Sequence, residues 1–407
     1  MIASLERPGQ LLDPTEVRAF LRARFDALDL DRRSLCLVIP DATRSCPLPL
    51  LLDAIYEAVK VRVSSCTAVI ALGTHAPMSD EGIRALVGTE SLMVVNHAWW
   101  DSQTFVDVGT LSPQTVGTLS GGRLDEAVEV RINRLVVESD VTIIVGPVLP
   151  HEVVGFSGGN KYLFPGLSGP ELIDVTHWLG ALLTSKEIIG TRGVTPVRAL
   201  VDEAARLVPG ERHALCVVVD HLTGGLRSMA FGDPVAAWST AADVSARTHI
   251  VYLPHPVPRV LSLVPPRYPD LWTGAKGFYK VEPVVADGGE VVLYAPHITE
   301  IAAMHPALMD IGYHCRDFYL ADWEKYRHYP RGQLAHSTHL FGAGTYDPVH
   351  GERQRVRVTL ATGIPEAVVK RANLAYLDPA SIDPDDWQTD PLALVVPDAG
   401  EVLYRLA

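Results

Sequence analysis

Residues 35–44 read Leu-Cys-Leu-Val-Ile-Pro-Asp-Ala-Thr-Arg, an unbroken apolar run closed by Pro40 and a polar turn. A short run with no polar alternation is the pattern of a strand buried on both faces, as in a parallel sheet. The flanking sequence keeps that rhythm. Pro49–Val61 (PLLLDAIYEAVKV) has helical spacing, and Thr67–Leu72 (TAVIAL) is a second buried strand ended by Gly73. Met78–Leu86 reads as a short helix with Ser79 and Asp80 as cap candidates. Leu92–Asn96, Val141–Val145 and Ala214–Val219 are further strands. Strands alternating with helices predict a doubly wound, mostly parallel sheet, in which ligands bind beyond the carboxyl ends of the strands. The polar clusters fall at those ends: Asp41-Ala-Thr-Arg44 after the first strand, Gly73-Thr-His75 after the second, and His151 after Val141–Val145 and its Gly146-Pro147 turn.

Near residue 255 the composition shifts, with Pro254, Pro256, Pro258, Pro265, Pro266 and Pro269 close together. Strand and helix patterns then restart, with Val260–Val264, Gly289–Tyr294, Val356–Ala361 and Ala375–Leu377 as strands. The expected organisation is therefore two α/β domains with mostly parallel sheets and a ligand site in the cleft between them. The first spans residues 1–254, rejoined by the tail 390–407 with its strands Leu392–Val396 and Glu401–Leu406, and the second spans 255–389.

With 407 residues, 47% of them hydrophobic and 20% charged, the chain can bury full cores, which excludes intrinsic disorder. Its net charge of -13 argues against a broad nucleic-acid or anionic-membrane surface. Five scattered cysteines with no C-x-x-C pair argue against a disulfide framework and a Cys-rich zinc site. The first twenty residues carry an early Glu6 and no apolar core of a signal peptide, so a cytoplasmic protein is expected. The 15 histidines are the unexplained feature.

Several residues are candidates for chemistry. The stretch His151–Gly169 (HEVVGFSGGNKYLFPGLSG) packs five glycines, a histidine and Lys161 into 19 residues. Backbone N–H groups in such a loop can cradle phosphate, although Asn160 between Gly159 and Lys161 excludes a Walker A loop. It reads equally as a long structural loop with a solvated lysine. Arg44 suits a carboxylate or phosphate, or a surface ion pair. His75, at a strand end, is a general-base candidate or a hydrogen-bonded loop histidine. His177, on the predicted helix Glu171–Leu183, has no second histidine at helical spacing, so it can serve a metal only if an organic cofactor supplies the other ligands. Lys276 can close over a substrate carboxylate or stand in solvent. His297, Glu300, His305, His314, Arg316, Asp317 and His328 line either a pocket or a wet surface.

Taken in order, these motifs resemble the nickel-dependent lactate racemase family. Asp41-Ala-Thr-Arg44 matches its Asp-x-Thr-Arg, and Gly73-Thr-His75-Ala-Pro-Met78 its Gly-Thr-His before Pro-Met. The stretch from His151 through Gly155-Phe-Ser-Gly-Gly-Asn-Lys161 to Pro165-Gly166 matches its most specific motif. His177, sixteen residues past Lys161, and Lys276, twelve before Gly288-Gly289, complete the match. The resemblance implies a racemase or epimerase that inverts C2 of a 2-hydroxy acid by reversible hydride transfer to a nickel-pincer nucleotide, through a 2-keto acid. It implies a cofactor bound covalently at Lys161, nickel ligation by His177, acid/base roles for His75 and His151, and carboxylate binding by Arg44 and Lys276. Asp41, Thr43, Ser157, Gly158, Gly159, Trp272 and Thr273 would surround the cofactor, and cofactor maturation enzymes would be partners. Lactate-type members carry Gln where this chain has Thr273. With the histidine-rich cluster, that departure leads us to expect a substrate larger or more polar than lactate, such as an aldonate.

Two other readings stay open at this level. A nicotinamide-dependent oxidoreductase would explain the strand-end histidines and Arg44, but no G-x-G-x-x-G follows an early strand. A non-catalytic carrier would keep the loop but has no use for two candidate bases.

Overall fold

The computed structural model describes residues 2–89 and 91–407. The chain forms two compact units: Met1–Leu149, Phe156–Ile173 and Arg192–Thr248 make the first, and Pro150–Gly155, Asp174–Thr191 and His249–Ala407 the second.

The first unit is built on a seven-stranded sheet. Its strands are β1 (Ala3–Glu6), β2 (Ser34–Ile39), β3 (Ser65–Ile70), β4 (Met93–Asn96), β5 (Val141–Pro147), β6 (Glu211–Val219) and β7 (Leu226–Gly232), in the order β1-β7-β6-β5-β2-β3-β4. Pairing is parallel from β6 through β4, while β7 runs antiparallel to β6 and to β1. Continuous apolar sequence explains the centre: Cys36–Ile39 and Ile143–Val145 are buried on both faces. Helix α1 (Pro14–Asp26) starts at a capping box in which Asp13 accepts from Thr15 and Glu16 reaches back to the Asp13 backbone. Helix α2 (Leu48–Val59) buries Leu48, Leu51, Leu52 and Ile55 against the sheet. Helix α3 (Asp80–Val87) is capped by Ser79. Helices α4 (Pro170–Leu183), α5 (Pro196–Leu207) and α6 (Pro234–His249) follow. In-register pairing of β2 with β3, through Ile39 opposite Ile70, sets the Asp41 and His75 turns side by side.

The second unit has a five-stranded, wholly parallel sheet. With β8 (Ile250–Leu253) outside it, the strands are β9 (Val257–Leu263), β10 (Val285–Ala295), β11 (Arg357–Thr362), β12 (Ala375–Tyr376) and β13 (Ala393–Val396), in the order β12-β11-β10-β9-β13. The last strand, β14 (Leu403–Leu406), pairs with β8. Helices α7 (Leu271–Gly274), α8 (Lys276–Tyr279) and α9 (Arg331–Phe341) belong to this unit.

The α/β class with mostly parallel sheets is as the sequence predicts. The division differs from a single boundary near 255. Residues 150–155 and 174–191 group with the second unit, and the tail pairs there through β13 and β14 instead of returning to the first sheet. The exposed-side strand pattern of Ile250–Leu253 gives β14 its partner, a pairing that local composition does not encode.

Candidate active site

In the first unit, four predicted residues come together. Asp41 Oδ1 accepts hydrogen bonds from the Thr43 backbone N–H at 3.1 Å and from Thr43 Oγ1 at 2.6 Å. Asp41 Oδ2 lies 2.5 Å from His75 Nδ1. Arg44 N donates to the Asp41 carbonyl at 3.3 Å, closing the turn. Burial pushes the Asp41 carboxyl up, but the His75 and Arg44 charges and the hydrogen bonds from His75 and Thr43 outweigh it and hold the group well below the usual carboxylate range. A permanent carboxylate at Nδ1 keeps the imidazole proton there and leaves Nε2 as the basic nitrogen. The Trp99 indole donates to the His75 carbonyl at 2.9 Å and fixes the turn from below.

The glycine-rich loop follows β5. Its own side chains hold it: Ser157 Oγ accepts from Leu149 N at 3.0 Å, and Ser157 N donates to Leu149 O at 2.8 Å. Gly158 has φ +88°, and a Cβ there would meet Val148 at 2.5 Å; at Gly159, φ +57°, it would meet Trp238 at 2.9 Å. These glycines are required by close packing. Lys161 lies on the 3-10 turn Gly159–Tyr162 and is partly exposed. Beneath the loop, fully buried Arg198 donates to the Gly158 carbonyl at 3.1 Å and the Phe156 carbonyl at 2.5 Å, and stacks over Trp238 at 4.2 Å. Trp238 Nε1 donates to Ser157 O at 3.0 Å. Burial pulls the Arg198 guanidinium down to about 10, opposed by the Asp202 charge, so it stays ionised near neutrality. Arg198 and Trp238 were not legible as loop supports; an arginine among the apolar positions of PVRALVDEAARL was the available signal.

The second unit carries the other candidates. His151 is buried; its Nδ1 accepts from Val153 N at 3.1 Å and stands 3.5 Å from Glu152 Oε2. In the neutral ring this bond places the proton on Nε2, the opposite tautomer to His75. Lys280, buried on the C-terminal side of α8, donates to the Pro150 carbonyl and anchors that segment. His177 lies half-buried on α4. Its neighbour Trp178 stacks on Trp323 at 5.2 Å, and Asp174 accepts from Gly332 N at 2.8 Å, tying this part of α4 to the start of α9. Lys276 is buried, with Nζ 3.4 Å from Thr273 O and 5.3 Å from the centre of the Tyr268 ring. The Thr273 hydroxyl is engaged by Asp270 Oδ1 at 2.7 Å as part of the α7 cap. Trp272 stacks with His305 at 3.9 Å and His336 at 4.2 Å.

The histidine-rich cluster disperses. Only His305 is buried; His314 pairs with Glu352 at 2.7 Å, Arg316 donates to Leu182 O, and His297, Glu300 and His328 are exposed. His336 and His339 of α9, which the sequence reading passed over, are buried instead. Burial pulls His339 down to about 4 against the Glu152 charge. Among the described residues no three His, Cys, Asp or Glu side chains converge to hold an ion. A metal held through His177 would therefore need donors from an organic ligand.

An Asp–His pair at adjacent strand ends and a glycine-rich loop after a third strand sit on a mostly parallel sheet of the α/β class. Residues 17–190 match the family model of the lactate racemase N-terminal domain. The chain is 31% identical over 161 residues to lactate racemase from Thermoanaerobacterium thermosaccharolyticum, and 25% identical over 161 residues to lactate racemase from Lactiplantibacillus plantarum. Those alignments cover 38% of this chain and 34% of each relative. The fold matches a Thermotoga maritima structural-genomics crystal structure with a TM-score of 0.92 and 28% identity, over 99% of this chain and 100% of that one. It also matches the lactate racemase apoprotein of T. thermosaccharolyticum with a TM-score of 0.71 and 19% identity, over 96% and 93%. The resemblance to the lactate racemases drawn from the motifs is thus borne out, with the sequence match in the N-terminal domain. Among the described residues no helix is long and apolar enough to cross a membrane.

Proposed function

We propose that this protein is an isomerase, a racemase or epimerase inverting C2 of a 2-hydroxy acid. The Asp41–His75 contact at 2.5 Å carries the reading, because it makes His75 Nε2 a base with a fixed tautomer at a strand end. Inversion needs two acid/base groups, since the hydroxyl points to opposite sides in the two stereoisomers. His75 takes the hydroxyl proton at Nε2, and the Asp41 carboxylate stabilises the imidazolium formed. His151 is the second acid/base group and exchanges its proton with the product oxygen through Nε2, its Nδ1 being held by the Val153 N–H. Arg44 and Lys276 bind the substrate carboxylate. Lys161 and His177 are the residues that would hold a nickel-pincer nucleotide, with Thr43, Ser157, Gly158, Gly159, Trp272 and Thr273 around it; bound, that group would supply the hydride acceptor at C2. Asp41 serves that site through His75 and Thr43. The substrate is larger or more polar than lactate, and maturation enzymes supply the cofactor to a cytoplasmic enzyme.

The test is metal analysis and intact mass of protein made in cells able to synthesise the cofactor. Bound nickel and a mass adduct lost in Lys161→Ala are expected, with C2 inversion of a 2-hydroxy acid and no net turnover of NAD. Cofactor-loaded protein that inverts no 2-hydroxy acid would overturn the reading.

A further inference from the structure

Helix α9 reads RGQLAHSTHLF, and every residue from Gly332 to Phe341 is buried. Gln333, His336 and His339 follow one another at three-residue spacing, which places them within an arc of about 120° and over about 9 Å of helix length. Gln333 Oε1, His336 Nδ1 and both ring nitrogens of His339 have no hydrogen-bond partner among the described residues. A buried polar atom left unpaired is strongly unfavourable, so four on one helix face call for a ligand that pairs them.

Their surroundings are those of the proposed substrate groups in this unit. His336 stacks on Trp272 at 4.2 Å, its Nε2 lies 3.1 Å from the Trp272 carbonyl, and Lys276 is close enough to act on its charge. His339 meets the Tyr279 ring edge-on at 5.9 Å and lies within electrostatic reach of Glu152 and His177. It also lines a cavity of about 160 Å³ with Thr338, Ser185 and Glu282, where Ser185 Oγ and Glu282 Oε2 likewise lack partners among the described residues.

The chemistry of the row selects its ligand. Gln333 Oε1 is an acceptor, His336 presents Nδ1 as an acceptor because its Nε2–H faces the Trp272 carbonyl, and the neutral His339 ring offers one donor and one acceptor. Burial holds His336 well below its ordinary value, so that ring is neutral. A hydroxyl is the matching group, since a carboxylate only accepts and a methyl does neither. With C–C bonds near 1.5 Å, a three-carbon acid spans roughly 3 Å and meets one of the three residues, whereas a five- or six-carbon chain of about 5–6 Å plus its hydroxyls meets two or three.

We propose that Gln333, His336 and His339 are specificity-determining residues that read the hydroxyls beyond C2 of a polyhydroxylated 2-hydroxy acid, an aldonate of five or six carbons. This rests on the 2-hydroxy-acid reading above. The test is calorimetric titration of the holoenzyme with gluconate and with lactate, for the wild type, Gln333→Leu and His339→Leu. Gluconate affinity should fall about tenfold or more in each variant, the loss of one ligand hydrogen bond, while lactate affinity moves less than about threefold. The melting temperature should hold or rise, because an orphaned polar group has been replaced by an apolar one. Lactate binding the wild type as tightly as gluconate, or variants that leave gluconate affinity unchanged, would overturn the assignment. Variants that lose stability and weaken both acids alike would do so too, by marking the row as structural. C2 inversion measured on the same holoenzyme separates the two ideas. Inversion of lactate but not gluconate sinks only the row; inversion of no 2-hydroxy acid sinks the reaction, and the titrations then decide the row by themselves.

Discussion

At Asp41 a single carboxylate does two things: Oδ1 closes the Asp-Ala-Thr-Arg turn through Thr43, and Oδ2 sets the tautomer of His75. Asp41→Asn keeps the shape but removes the charge, and the amide N–H facing Nδ1 drives the ring proton to Nε2. Turnover should fall on the order of 10²–10⁴-fold, while thermal stability changes little; C2-inversion rates and melting temperatures measured side by side check this. Loss of both together would mean that the turn, and not the base, depends on the carboxylate. The residues of this pair were legible in the sequence as separate motifs, because each follows an apolar run that must end at a sheet edge. Their contact was not, since 34 residues separate them and only the parallel register of two strands brings them together.

The glycine-rich loop is the element whose reading changes most. Its glycines suggest a cradle opened toward a ligand, yet at Gly158 and Gly159 the space a side chain would need is filled by Val148 and Trp238. Gly158→Ala should cost more than about 2 kcal/mol, combining left-handed backbone strain with a steric clash. Gly193→Ala, at φ +93° with nothing within 4 Å, isolates the strain alone and should cost about 1–2 kcal/mol. Chemical denaturation of both variants checks the difference, and equal costs would remove the packing explanation. Lys161 is legible because a lysine amid glycines is conspicuous; Arg198 is not, because its two backbone acceptors lie 40 and 42 residues away and a lone arginine in a helix reads as solvated. Helix α9 shows the same limit: its polar residues at three-residue spacing carry no local sign of burial, yet every residue from Gly332 to Phe341 is buried.

Across the whole molecule, buried histidines couple stability to pH. His97 is fully buried against Asn133 and Phe105, and burial pulls it from its ordinary value near 6.5 to about 4, opposed by a backbone contact from Ser168. A depressed folded value means the unfolded chain takes the proton first. The stabilisation is therefore complete above pH 6.5 and is lost as pH falls through about 4, by about 3 kcal/mol in all. Denaturation midpoints of wild type and His97→Gln between pH 7 and 4 check it: the variant should be flatter over that window, and parallel curves would refute it. By itself the sequence determined the parallel α/β class, the order of the strands along the chain and the residue types at their carboxyl ends, because burial on both faces forces continuous apolar runs and polar turns beyond them. Only the tertiary structure decided which unit the segments 150–155, 174–191 and the tail join, which carboxylate orients His75, and which histidines are buried. Those outcomes depend on pairings between residues far apart in sequence, which the packing of sheets and helices selects and no local pattern records.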